Sequence, residues 1–342
     1  MSRVLARRRW SQFRQNKRAL FSLILFISLL MVALFAPIIA NEKPMYVSYR
    51  GMPYYPLSEF VSDKNLGGDL PTAVDFTDPF IKEQIRLHAD ALYPVIPWGP
   101  ETIDYEETSP LPAPPSPRHL LGTDDQGRDI LARLIYGLRL SILFGLALTF
   151  CSSVIGVLVG AIQGYFGGRT DLIIGRFLEV WGSLPQLFIL IIVSSLIAPG
   201  FFSLLFILLL FSWSSLTGVV RAEFLRTRNL DYVKAAKILG VSDWQIMKRH
   251  ILPNALIATT TYVPFILAGA IVSLSALDFL GLGMPAGTPR LGDLIRQGKE
   301  NLQAPWIGIT AFLSLTIILS LLLFIGEGVR DAFDPHVTKE KL

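Results

Sequence analysis

The side chains that most often carry catalysis are scattered along this sequence. The four histidines form no closely spaced pair, and no Ser/His/Asp arrangement or metal-ligand spacing occurs. A single cysteine, Cys151, excludes an internal disulfide framework. A Gly-x-x-x-x-Gly-Lys-Ser/Thr phosphate loop is also missing, so the chain does not hydrolyse ATP by that route. The sequence therefore predicts a protein that is not an enzyme and binds no cofactor or metal.

A charged cluster precedes the second long apolar stretch of the chain. Its pattern predicts a capped turn that opens a helix, with Arg128 and Arg133 pairing with Asp124, Asp125 or Asp129. A plain anchor at the membrane surface would have the same composition, and this alternative stays open. The candidate residues here are Gly122, Thr123, Asp124, Gly127, Arg128, Asp129 and Arg133.

A second cluster, residues 221–250, contains seven basic and three acidic side chains and the signals for two short helices. Asp231 is predicted to cap the first helix, and Gly240 to end it in the left-handed conformation. Ser242 and Gln245 form a predicted capping box for the second helix, with Val241 and Ile246 as its hydrophobic staple. The spacing predicts two helices that meet at a fixed angle.

One face of the first helix carries small side chains, which would let another surface approach closely. Tyr232, Ala235, Ala236 and Leu239 share this face at i, i+3, i+4 and i+7 spacing. We therefore predict a docking element, although a simple hairpin between two crossings is the alternative. The candidate docking residues are Asp231, Tyr232, Ala235, Ala236, Gly240, Ser242, Leu252 and Pro253.

Long apolar stretches must position both clusters. The chain has 342 residues, of which 51% are hydrophobic and only 17% charged, and its mean hydropathy is +0.48. A helix needs about 20 apolar residues to cross the hydrocarbon layer. Six such crossings are predicted, apolar on all sides, in segments 19–41, 140–168, 180–220 (two crossings, with Pro199-Gly200 as the turn), 251–277 and 301–326.

Basic residues predict the orientation. Residues 1–18 contain seven Lys or Arg and no acid, which places the N-terminus in the cytoplasm. With six crossings, the C-terminus is cytoplasmic as well. A cleaved signal peptide is disfavoured because the first apolar run exceeds its usual length. The same basic run is either an interfacial helix on anionic lipid or a simple topology signal.

The segment after the first crossing differs from the rest of the chain. Residues 41–117 contain 13 of the 22 prolines, and their twelve acids outnumber five bases. A helix is predicted over 78–92, with Asp78 as its cap and Pro79 at its first position. We expect a loop-rich domain outside the membrane that either contacts a soluble partner or acts as a spacer.

Two sequence runs carry a family resemblance. Lys234-Ala-Ala-Lys-Ile-Leu-Gly240, continuing to Leu252-Pro253, resembles the Glu-Ala-Ala signature of binding-protein-dependent ABC importer permeases, with Lys234 in place of Glu and His250 in place of Ile. Residues 119–141 resemble the C-type permease subunit of dipeptide and oligopeptide importers. Residues 164–171, 279–283 and 326–335 are similar to other landmarks of that family. The long acidic insert, Asp278 and residues 221–229 resemble the microcin C-type importer subset.

The resemblance implies an all-α membrane protein with six transmembrane helices and the type I ABC importer permease fold, in the bacterial inner membrane. It divides the chain into a cytoplasmic basic interfacial segment (1–18), a first transmembrane helix (19–40), a periplasmic insert with an opening segment (41–138), a five-helix permease core with a coupling loop at 221–250 (139–326), and a cytoplasmic tail (327–342). The last helix is expected to end around Arg330-Asp331 and Asp334-Pro335.

The resemblance also implies partners. These are a sister permease subunit, two ATPase subunits that hold ATP and Mg, and a periplasmic solute-binding protein that delivers a peptide or peptide-like cargo. Membrane lipid is a further partner, whereas the net charge of +4 is too small for a nucleic-acid footprint. Two alternatives stay open: a secondary transporter driven by an ion gradient, and a membrane anchor or receptor. No ionisable residue lies in the middle of a predicted crossing, which disfavours ion coupling.

Overall fold

The computed structural model describes residues 2–333, and these are mostly helical. The helices are α1 (Ser2–Gln15), α2 (Lys17–Leu34), α3 (Ala36–Ile39), α4 (Pro79–His88), α5 (Ile130–Phe166), α6 (Gly168–Ser183), α7 (Gln186–Leu196), α8 (Phe201–Ser212), α9 (Ser214–Thr227), α10 (Asp231–Ile238), α11 (Asp243–Gln245), α12 (Leu252–Thr260), α13 (Val263–Phe279), α14 (Leu291–Glu300) and α15 (Pro305–Phe333). The strands are β1 (Tyr46–Tyr49), β2 (Met52–Tyr54) and β3 (Ala89–Leu92).

Up to six membrane spans are present in this part of the chain, as the sequence predicts. Helices α2, α5 and α15 are each long and apolar enough to cross alone. Three bent helix pairs supply the others: α6 with α7 (77°), α8 with α9 (43°), and the run Asp243–Thr260 with α13 (55°). The first bend falls at Leu184-Pro185, because proline lacks the N–H that would continue the helix.

Helix α5 extends through the centre of the bundle. Its 37 residues make it about 55 Å long at 1.5 Å per residue. Three glycines, Gly156, Gly160 and Gly164, let it approach α9 closely, since a Cβ atom on Gly160 would lie 2.6 Å from the carbonyl oxygen of Thr217. This contact packs α9 against the C-terminal half of α5, the half that lies nearest residues 221–253.

The insert, residues 41–117, is loop-rich, as predicted, but it also contains a small antiparallel sheet and one α-helix. Helix α4 starts at Pro79 with Asp78 as its cap, as predicted. The predicted continuation to residue 92 is wrong, because α4 ends at His88 and Ala89–Leu92 forms β3. The strands pair antiparallel in the order β2-β1-β3. They cover a core of Val47, Tyr49, Val61, Leu66, Val74, Phe76, Ile81 and Ile85.

The two ends of the described chain lie together. Asn16 breaks the helix between α1 and α2, and its side-chain oxygen accepts a hydrogen bond from the Ala19 amide. Phe13 of α1 is buried in one cluster with Ala19 of α2 and Ala332 of α15. Arg330-Asp331 lie within α15, which extends to Phe333, whereas Asp334-Pro335 are outside the described residues.

Candidate functional site

The elbow, defined here as residues 231–253, has the sharp turn that the sequence predicts. Gly240 has a φ of +78°, in the left-handed region. Its amide donates to the Lys237 carbonyl (3.1 Å), and the Val241 amide donates to the Ala236 carbonyl (3.1 Å). Ser242 then caps the next helix by accepting from the Gln245 amide (3.4 Å). The break between α10 and α11 is therefore fixed by backbone bonds on both sides.

Two predicted capping details differ from the structure. Asp231 is the first residue of α10 rather than its cap; Leu230 occupies the cap position and its apolar side chain makes no capping bond. The Asp231 side chain is instead fully exposed, with Lys234 3.9 Å away. At the second helix, the reciprocal bond from the Gln245 side chain is not formed within residues 2–333, so only half of the capping box is present.

The predicted docking face is divided between solvent and core. Tyr232 and Ala235 are exposed, but Ala236 is only 7% exposed. The most exposed apolar side chains at the end of α10 are Ile238 (86%) and the following residue, Leu239 (82%). The small-residue face is therefore only partly available for docking. Ala236 packs α10 against the bundle, while the apolar tip of the elbow is exposed. Leu252 is half-buried and Pro253 exposed.

A buried cluster anchors the elbow to the bundle. Val233 and Ala236 of α10 pack with Ile246 and with Phe224 of α9. The Tyr165 hydroxyl, in the last turn of α5, donates to the Asp243 carboxylate at the start of α11. The elbow is therefore joined both to α9, which precedes it in the chain, and to the end of the long central helix α5.

The second helix of the elbow is continuous through Pro253 and does not restart there. Residues Ile246–Ile251 form a π-helical segment between α11 and α12. A wider turn at this point accommodates Pro253, which offers no N–H to the turn before it. Tyr232 of α10 connects the two helices of the elbow. Its hydroxyl donates to the His250 carbonyl (3.3 Å) and accepts from the Asn254 amide group (3.3 Å).

Two charged anchors beside the elbow were not predicted. Arg228 donates to the carbonyls of Gly164 (3.2 Å) and Tyr165 (3.0 Å), which satisfies the C-terminal end of α5. Arg221 of α9 binds Asp171 of α6 through two bonds of 2.5 and 2.6 Å. The first joins residues 64 and 63 positions apart and leaves no local signal. The second pairs residues 50 positions apart and leaves no local pattern.

At the opposite end of α5, the residues of the charged motif form a buried network. Asp124 is fully buried and binds the Arg128 side chain (2.8 and 2.6 Å) and Arg133 (3.3 Å), which confirms two of the predicted pairs. Thr123 accepts from the Ala113 amide (2.8 Å). Asp129 caps α5 by accepting from the Ala132 amide (2.7 Å). Gly122 and Gly127 hold the turns around them with positive φ.

Arg133 extends this network to parts of the chain that the motif does not include. It is fully buried, donates to the Pro100 carbonyl (3.1 Å), and lies 3.4 Å from Asp293 of α14. Burial alone would raise the pKa of Asp293, but the hydrogen bond from Arg296 and the charges of Arg290 and Arg133 lower the pKa below its usual value. Asp293 is therefore ionised, and it fixes α14 against α5.

These two sites define a class of protein. Each is a rigid joint in a bundle of apolar spans, at opposite ends of α5, and neither arranges a nucleophile or a general base against a pocket. The chain belongs to the family described as binding-protein-dependent transport system inner membrane component, which matches residues 139–339. Residues 5–65 match the N-terminal TM domain of oligopeptide transport permease C.

Characterised relatives agree with this assignment. The inner membrane ABC transporter permease protein YejE of Escherichia coli is 54% identical over 328 residues, covering 96% of each chain. The peptidoglycan transport system permease protein YejE of Agrobacterium fabrum is 48% identical, covering 97% of this chain and 93% of that one. The oligopeptide permease OppC of Haemophilus influenzae is 37% identical over 245 residues, or 70% of this chain and 79% of that protein.

The chain is also similar to solved structures. The inward-facing MetNI methionine ABC transporter aligns with 60% of this chain and 98% of its own at 15% identity, with a TM-score of 0.49. From the family match, this chain has the type I ABC importer permease fold and is an inner-membrane permease component of a peptide ABC importer, not an enzyme. The specific roles of the elbow and motif residues stay predictions.

Proposed function

We propose that two separate ATPase subunits bind at the elbow and that its movement opens and closes the transport pathway. The single observation that carries this proposal is the exposure of Ile238 and Leu239 on a joint that is otherwise fixed by buried contacts. Apolar side chains exposed at the tip of a short helix contribute no burial free energy to the isolated chain. They become favourable when a partner surface covers them.

The proposed mechanism follows from the anchors of the elbow. When ATP closes the ATPase pair, the partner surface pushes on α10. The two helices of the elbow are kept at a fixed angle by the turn at Gly240, the Ser242 cap and the Tyr232 hydrogen bonds. The elbow therefore moves as a rigid body. The contacts to α9 and to Tyr165 of α5 then pass the motion to the bundle. A packed joint of this kind switches between arrangements rather than bending gradually.

A sister permease subunit is the second proposed partner. Helix α6 buries none of its residues within the described chain, and its exposed side chains include Ile173, Phe177 and Val180. These apolar side chains need either lipid or a second membrane protein against them. We propose that the sister subunit lies along this side and forms the pathway with this chain, while a periplasmic solute-binding protein delivers cargo at the insert end.

The orientation is part of the proposal. The insert lies at the start of α5 and the elbow at its end, so they are on opposite sides of the membrane if α5 crosses it. The start of α15 packs against Ile130 at the start of α5, so the end of α15 lies toward the opposite, elbow end of the bundle. The basic helix α1 lies at that end as well, since Phe13 packs with Ala332. We therefore propose that the elbow and both termini are cytoplasmic and the insert periplasmic. Exposed Arg7, Arg8 and Arg14 would lie against anionic lipid. A reporter fused after Leu342 should be active only in the cytoplasm.

The proposed cargo is a short peptide or a peptide-like compound. The OppC relative is an oligopeptide permease, and the relative from Agrobacterium fabrum is described as a peptidoglycan transport permease. The long acidic insert favours a specialised cargo, such as a microcin C-like peptide or a peptide fragment of the cell wall. Competition assays would separate these: excess tripeptide, microcin C or a cell-wall peptide is added to cells that take up a labelled tripeptide through this permease. The true cargo lowers uptake at the lowest concentration.

An ion-driven transporter is the alternative function. It would need buried ionisable groups in the middle of the spans. In the described spans such groups lie toward the span ends or, like the Arg176–Glu179 pair of α6, are exposed. Co-purification tests the proposal against this alternative. A tagged chain, expressed with its neighbouring genes, should retain two ATPase subunits and a sister permease after mild detergent extraction. Recovery of the chain alone, still active in ion-dependent uptake, would contradict it.

A further inference from the structure

His119 lies between two carboxylates at the insert end, and none of its side chain is exposed. Its Nδ1 is 2.9 Å from the Asp129 carboxylate, and its Nε2 is 3.1 Å from the Asp104 carboxylate. A neutral imidazole has one N–H and one lone pair, so it can donate to only one of them. Only an imidazolium, with both nitrogens protonated, satisfies both contacts.

The surroundings of His119 favour this charged form. Burial alone would lower the pKa of His119, but the hydrogen bonds and charges of Asp129 and Asp104 outweigh burial and raise the pKa above its ordinary value. The Glu107 carboxylate is a third acid nearby. Arg118 is the nearby cation, and it pairs with Asp104 (2.9 Å). The Trp98 ring covers the imidazole, with ring centres 4.6 Å apart.

The two carboxylates belong to different parts of the molecule. Asp129 caps α5, as described above, and is therefore fixed to the central helix. Asp104 lies on the strap, defined here as residues 100–118, which crosses the turn that opens α5. The Asp104 amide donates to the Gly127 carbonyl (3.1 Å), and Arg133 donates to the Pro100 carbonyl at the start of the strap (3.1 Å).

We propose that His119 is an ionic latch that holds the strap on the opening turn of α5, and that rising pH on the insert side releases it. The stabilisation from His119 is complete at a pH below the ordinary pKa of histidine and is lost as the pH rises through the raised pKa of the folded state. After deprotonation, the Asp129 bond persists, because that carboxylate is already held as the helix cap. The Nε2 lone pair then faces the Asp104 carboxylate and repels it.

Hydrogen–deuterium exchange of the full chain in lipid nanodiscs tests this latch, from mildly acidic to alkaline pH, after correction for the intrinsic pH dependence of exchange. Peptides from the strap should lose protection in one step, with a midpoint above the ordinary pKa of histidine. Peptides from α4 should show no such step. Strap protection that is independent of pH would overturn the proposal.

Three variants make the test specific. His119→Gln should lower strap protection at every pH. Asp104→Asn should stay protected at alkaline pH, because the new amide can donate to the neutral Nε2. His88→Gln, which removes an exposed histidine of the same insert, should keep the wild-type midpoint. If His119→Gln does not fold, the other two variants still decide, since a wild-type midpoint in Asp104→Asn contradicts the latch.

The same residues could instead form a metal site, because possible ligand atoms of Asp104, Glu107 and His119 lie within 4.8 Å of one another. Adding Zn²⁺ distinguishes the latch from such a site. Arg118 already forms an ion pair with Asp104, so a divalent cation would have to displace the guanidinium from this carboxylate. The latch predicts that added Zn²⁺ leaves the pH step unchanged. Restored strap protection at alkaline pH with Zn²⁺, absent in His119→Gln, would overturn it.

Discussion

Tyr165 and Asp243 are 78 residues apart in the chain, yet the hydroxyl of the first donates a hydrogen bond to the carboxylate of the second. Tyr165 is in the last turn of α5, and Asp243 begins the helix that follows the turn of the elbow. The bond therefore connects the central helix of the bundle directly to the element that we propose the ATPase moves.

Replacing Tyr165 with Phe tests whether this bond transmits motion. The variant keeps the ring and its packing but loses the hydroxyl donor. The loss of one hydrogen bond to a charged group costs about 1.5–3 kcal/mol, so the chain should still fold and bind its ATPases. We expect fewer cargo molecules transported per ATP hydrolysed, measured in proteoliposomes. An unchanged ratio would show that motion reaches α5 by another route.

The turn at Gly240 should be required for coupling. A β-branched side chain is strained at a φ of +78°, and the left-handed conformation costs about 1–2 kcal/mol per residue for non-glycine residues. Nothing lies within 4 Å of a Cβ placed there, so the effect would come from the backbone alone. Gly240→Val should uncouple ATP hydrolysis from uptake. Gly269→Val, in open space in the middle of α13, is the matched control and should retain coupling.

Exposed and buried positions of α10 should respond differently to charge. Leu239→Glu should leave the thermal midpoint of the isolated chain nearly unchanged and weaken recovery of the ATPase in pull-down assays. Ala236→Glu should destabilise the chain itself, since a buried unpaired charge costs several kcal/mol, on the order of 3–5. Val95→Glu, equally exposed at 87% but in the insert, is the control. Full ATPase recovery with Leu239→Glu would exclude the tip as a docking surface.

The buried ionic network at the start of α5 should contribute to stability through Asp124. Asp124→Asn leaves Arg128 and Arg133 without their shared carboxylate, and breaking a buried pair in this way costs about 3–5 kcal/mol. We expect a clear fall in the thermal unfolding midpoint of the purified chain. Asp125→Asn changes the exposed neighbour and should have little effect. Equal midpoints for both variants would mean that the network adds nothing to stability.

The sequence predicts local features well. The caps at Asp78 and Ser242, the left-handed Gly240 and the number of spans all follow from residues close together in the chain. Asp231 is the exception, because an acid is equally favourable in the first turn of a helix as at its cap. Position alone does not separate these two uses.

Contacts between distant residues could not be predicted from local patterns. The spacing of Ala235 and Ala236 identifies a small-residue surface but not which side packs inward. That depends on where Phe224 of α9 lies. The sheet of the insert was missed because β3 has the sequence Ala-Asp-Ala-Leu, without β-branched residues, and forms only by pairing with β1. The Arg133–Asp293 contact joins residues 160 positions apart.

In the proposed mechanism, the elbow transfers motion from an ATP-driven partner to the bundle. Peptide uptake into proteoliposomes that contain the full importer, with ATP and no ion gradient, tests it most directly when wild type is compared with Leu239→Glu. We expect ATP-dependent uptake in the wild type and its loss in the variant. Uptake that needs an ion gradient, or that is the same in both proteins, would contradict it.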